Sequence, residues 1–94
     1  MKSIPKELDI CGIKTPVQFI PNLATTRGNV GEYSPPLAEI HIDSSLVADM
    51  QRAVLIHEII EALCYHLGLS LEHDKLTALA TGIDDTFKRN NLYK

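Results

Sequence analysis

Three residues in the most apolar stretch of the chain, "VLIHEIIEALCYHLGL" at 54–69, are of types that do chemistry: His57, Glu58 and Glu61. His57 and Glu61 are four positions apart, so on a helix they share one face, a turn apart. Two short ligating side chains at that spacing can converge on one divalent ion, as the histidines of an H-E-x-x-H zinc site do. Glu58 occupies the position that in such a site supplies a general base beside the metal. An isolated charge in an apolar helix costs several kcal/mol, and a divalent cation is one of the few partners that offsets it. The nearest basic residues are Arg52 upstream and Lys75 downstream. A metal therefore accounts for the two acids better than ion pairs with Arg52 or Lys75, which would make the chain a plain structural helical hairpin.

A catalytic zinc site takes three protein ligands and leaves one position open. Cys64 lies on nearly the same face as His57 but two turns along, roughly 10 Å at about 1.5 Å per residue, too far to share an ion. His66 is nine residues on and points to the opposite side, where the helix C-terminus favours a cation. His73 fits better, because 73, 76, 80, 83 and 87 form one stripe on a second helix, the face that packs on the first. Glu72 and Asp74 flank His73; both suit a helix start and stand as fallback ligands, with His66 the weaker one.

The elements that must position these residues are legible in outline. "ELDICGIKTPVQFIP" alternates apolar positions around a Gly12 turn and predicts a β-hairpin. Short strands follow near Val30 to Tyr33 and from Ala38 to Ile42, separated by a Pro35-Pro36 turn, with His41 placed outward, opposite Ile40 and Ile42. "DSSLVADMQRAVLIHEIIEALCYHLG" predicts a helix with Asp43, Ser44 and Ser45 as candidate caps and Gly68 as its stop. Ser70 reads as the N-cap of a second helix running to about Asn90, and the short connection makes the two antiparallel. The expected fold is α+β: a small N-terminal antiparallel β-meander followed by two packed antiparallel helices, all within one domain spanning 1–94. The tail "FKRNNLYK" is polar and carries no expected function.

Composition narrows the class. A net charge of −3 with scattered Lys and Arg argues against nucleic acid as a partner. No segment approaches the roughly 20 apolar residues of a membrane span, and the N-terminus has no apolar run of a secretory signal. Cys11 and Cys64 read as buried free thiols in a reducing compartment, so the expected setting is cytoplasmic.

With "GEY" at 31–33, "IHID" at 40–43, "HEIIEAL" at 57–63, "LGL" at 67–69 and "LATG" at 79–82, the chain resembles minimal zincin-type, gluzincin-like metallopeptidases of phages and mobile elements. The likeness covers nearly the whole chain, in order. It implies one Zn²⁺, hydrolysis of a peptide or protein substrate by activated water, and Glu58 as the base. It departs at Glu61, where the motif has its second histidine. The gluzincin pattern takes an acidic ligand from the following helix, where this chain has His73. An exchange, with His57, Glu61 and His73 as ligands, keeps two imidazoles and one carboxylate. The strands between Val30 and Ile42 would then offer an edge for an extended peptide. The alternative implied by Glu61 is a non-catalytic zinc-binding or regulatory interaction module on the same fold.

Overall fold

The computed structural model of the chain describes residues 4–93. Strand β1 (Glu7–Ile10) turns through Cys11 and Gly12, both at positive φ, into β2 (Ile13–Ile20). Two successive left-handed residues make the two-residue turn that matches strand twist, and the Gly12 amide donates to Asp9 Oδ1 at 2.8 Å. A one-turn helix, α1 (Leu23–Arg27), follows, capped by Gly28 in the left-handed region. Strand β3 (Gly31–Ser34) and strand β4 (Glu39–Asp43) form a second antiparallel pair. Helices α2 (Ala48–Leu67) and α3 (His73–Arg89) complete the chain.

The fold is α+β as expected, with a four-stranded sheet in the order β1-β2-β4-β3. The sheet is mixed rather than antiparallel throughout. β2 and β4 run parallel, with Val17 opposite Ile40 and Phe19 opposite Ile42. The cause is α1, a segment with no strand-like alternation. It carries the chain past the sheet so that β3 lands on the far edge and β4 enters between β3 and β2.

The apolarity of α2 follows from its place between two layers. One face packs Val54, Leu55 and Ala62 against Ile10, Val17, Ile40 and Ile42 of the sheet. The other packs Ile56 and Ile60 against Leu76 and Ala80 of α3. A helix covered on two sides is apolar on both, and only a narrow ridge is left for polar residues. His57 and Glu61 lie on that ridge.

Several boundaries differ from expectation. α2 begins at Ala48 because Asp43 is already engaged as the last residue of β4. Its carboxylate accepts the Ser45 hydroxyl at 2.6 Å and the amides of Ser45 and Ala24, each at 2.9 Å. These bonds hold its pKa below the usual aspartate value. α3 begins at His73 with Glu72, not Ser70, at its cap. His41 does project opposite the isoleucines, yet it is buried, because Glu32 and Glu39 close over it at 2.8 and 3.0 Å. Burial opposes its charge, but these hydrogen bonds and carboxylates prevail and raise its pKa. The tail also folds back: the Leu92 amide donates to the Phe87 carbonyl at 2.9 Å and the Tyr93 hydroxyl to Asp84 Oδ1 at 2.5 Å. Neither cysteine is fully buried; Cys11 is exposed at the hairpin turn and Cys64 half-buried. Among the described residues, no helix is long and apolar enough to cross a membrane.

Candidate metal centre

α2 places His57 and Glu61 on its uncovered ridge, and the antiparallel return of α3 brings His73 beside His57. His57 Nε2 and Glu61 Oε2 are 4.0 Å apart. Two ligands of a tetrahedral zinc, each about 2.1 Å from the ion, stand roughly 3.4 Å apart, so a small rotamer change closes this pair. The rings of His57 and His73 have centroids 5.4 Å apart at 58°. Two imidazoles on one tetrahedral ion hold their ring centres roughly 5 Å apart. Among the described residues, no group of three His, Cys, Asp or Glu side chains is drawn into a formed metal site. The two pairs share His57 but are not closed into a triad.

Glu58 is one position round the helix and only 5% exposed, with Oε1 lacking any hydrogen-bond partner among the described residues. Burial, then the charges of Glu61 and Glu32, push its pKa up to about 8. Burial also lowers the pKa of His57; the Glu61 charge works against this and the His73 charge adds to it. Glu58 can be seated here because residue 31 is glycine. A Cβ at Gly31 would overlap Val54 Cγ1 and lie 3.2 Å from Glu58 Oε2.

His57, Glu58 and His73 border a cavity of about 580 Å³ between α2, α3 and the Gly28–Gly31 segment. Glu61 instead borders a second depression of about 380 Å³ with Tyr33, Pro35 and Tyr65. It thus stands between the two hollows, 44% exposed, against 19% for the His57 side chain.

The other candidates are placed elsewhere. Glu72 is exposed and pairs with Lys75 at 3.5 Å, while Asp74 accepts the Lys75 amide at 2.9 Å. His66 shares a 2.8 Å hydrogen bond with the Tyr33 hydroxyl, and Cys64 borders the second depression. Arg52 pairs with Asp49, so the cations nearest in sequence are both engaged away from Glu58 and Glu61. Two residues of the site escape the sequence reading. Gly31 enters it only as the first residue of the "GEY" stretch, with no role in seating Glu58. Asp84, buried and bordering the cavity, falls beside Ile83 on the apolar stripe of α3, where an acid was a visible anomaly.

The donor set, two imidazoles and a carboxylate with an unpartnered buried acid beside them, fits a zinc ion in chemistry. No protein-family model, curated protein or solved structure matches the chain.

Proposed function

We propose that the chain is a zinc-dependent peptidase domain in which His57, Glu61 and His73 hold the ion and Glu58 handles the proton. The observation that carries this reading is Glu58: a buried carboxyl group whose Oε1 has no hydrogen-bond partner and which pairs with no cation among the described residues, beside two imidazoles that border a cavity. A zinc ion held there would supply Lewis acidity, polarising the scissile carbonyl and acidifying water. His57 and His73 would present their ring nitrogens from two helices, and Glu61 would close on them from the next turn of α2. In its ionised form Glu58 takes a proton from water as the water oxygen attacks the carbonyl carbon. It returns that proton to the amide nitrogen as the C–N bond breaks. Strand β3 is an edge strand of the sheet and reaches the cavity through Gly31, so an extended peptide could pair along it. Free cysteines, one of them exposed, suit a cytoplasmic setting. The net charge of −3 favours a peptide or protein over nucleic acid as the partner.

The test is metal content per chain for protein purified without a metal-binding tag, with peptide hydrolysis by the native chain and by Glu58→Gln. One zinc per chain and turnover lost in Glu58→Gln are expected. Metal-free protein indifferent to chelator would refute the metal; bound zinc with no Glu58-dependent turnover would refute the peptidase. A second reading, a non-catalytic zinc-binding or regulatory module, is favoured by the placement of Glu61 against the other depression. It expects a binding partner and a dispensable Glu58.

A further inference from the structure

The cavity is a trough rather than a round pocket. It runs between α2 and α3 from His57 and His73 at one end to Asp84 at the other. Asp84 lies eleven positions along α3 from His73, roughly 16 Å at about 1.5 Å per residue. Met50, Ala53, Val54 and Ala80 give it apolar walls, and beyond His57 and His73 its ionisable lining is two carboxyl groups, Glu58 and Asp84. Both acids are buried, and Glu58 Oε1 is unpartnered. Asp84 already shows what it accepts. The Lys88 ammonium lies 3.1 Å from Oδ2, on a side chain 43% exposed. Tyr93 fixes the other oxygen at 2.5 Å and so holds the carboxylate in place. A carboxylate has about four acceptor positions, so two bonds leave room for a further donor.

We propose that Asp84 is a specificity-determining residue that receives a basic side chain, arginine or lysine, of a bound polypeptide. Lys88 is the resident stand-in that the incoming cation displaces. An aliphatic stem on apolar walls with a cationic head on a carboxylate matches both halves of such a side chain. The inference rests on the reading of the cavity as a peptide site, and it is tested by binding alone.

The probes are labelled ten-residue Ala/Ser peptides blocked at both ends, with one arginine walked through every position. Each has a twin carrying neutral citrulline at that position, and a second series pairs lysine with acetyllysine. Affinity is read by fluorescence polarisation on chelated protein and again with zinc added. In the best register, the native chain is expected to bind the basic peptide about tenfold more tightly than its neutral twin. Asp84→Asn is expected to bring the two within about twofold while the neutral twin keeps its affinity. Lys88→Met, which leaves the Tyr93–Asp84 bond in place, is expected to widen the preference. Failure of every basic peptide to bind, equal binding of the twins in the native and Lys88→Met chains, or a preference that survives in folded Asp84→Asn each overturns the proposal. Because no turnover is read, absence of hydrolysis leaves this test standing, and its failure leaves the hydrolytic test standing.

Discussion

Replacing Glu58 by glutamine in metal-free protein changes how stability depends on pH, with a sign and size that follow from the structure. In the unfolded chain this carboxyl ionises near 4.5; folded, it keeps its proton to about 8. Between those values the unfolded state binds fewer protons than the folded one, so stability falls as pH rises and levels off above 8. Three to four pKa units at about 1.4 kcal/mol each put the full loss on the order of 5 kcal/mol, with most of it present by neutral pH. That is a large share of the roughly 5–15 kcal/mol by which domains are stable. Glutamine keeps the shape and cannot ionise. Any cost of burying its amide is the same at every pH and drops out of the slope. Urea unfolding of the chelated native chain and of Glu58→Gln at pH 5, 7 and 9 measures the effect. The advantage of the variant should grow by several kcal/mol across the series at unchanged m-value. A gap constant with pH would refute the reasoning, because it would mean that Glu58 ionises in the fold as it does in water.

Gly31→Ala should destabilise by about 1–3 kcal/mol in denaturant unfolding, because the added methyl meets Val54 and the Glu58 carboxyl; zinc affinity should fall with it if Glu58 is displaced. Leu76→Ala, at the centre of the α2–α3 cluster, should cost about 2–5 kcal/mol and lower the melting temperature accordingly. His41 has a folded pKa above its unfolded value of 6.5, so its contribution is complete below pH 6.5 and is lost as pH rises through the folded value. Proton NMR titration of His41 should show this raised midpoint, and Glu32→Gln should lower it, since Glu32 holds one ring nitrogen at 2.8 Å.

What could be read beforehand was whatever repeats with a fixed period. The β1–β2 hairpin announces itself through alternation around Gly12, and the two helices through the stripe at 76, 80, 83 and 87 and the stop at Gly68. The meeting of His73 with His57 followed from that stripe. What escaped depends on contacts distant in sequence. The parallel pairing of β2 with β4 is set by a one-turn helix too short to leave a period. His41 was placed on the correct face, but its burial comes from two glutamates on neighbouring positions of the sheet. The tail reads as polar, yet Tyr93 has a hydroxyl that reaches back nine residues to Asp84 and a ring lying 5.3 Å beneath the Arg52 guanidinium. Glu61 shares a face with His57, as spacing requires. Which hollow it borders is decided by Tyr33 and Pro35, which no helical period can report.

The two-sided burial of α2 has a consequence for how the site comes and goes. Because the same helix closes the sheet cluster and the α3 cluster, detaching either layer strips one apolar face of α2. Release of α3 that parts His73 from His57 exposes Ile56, Ile60, Leu76 and Ala80 to water, so this opening carries the cost of that whole cluster. An ion held between the two helices would tie that same opening to its own dissociation. Occupancy of the site would then add to the packing that holds α3 on α2, so that scarcity of metal is felt first as loosening of that helix.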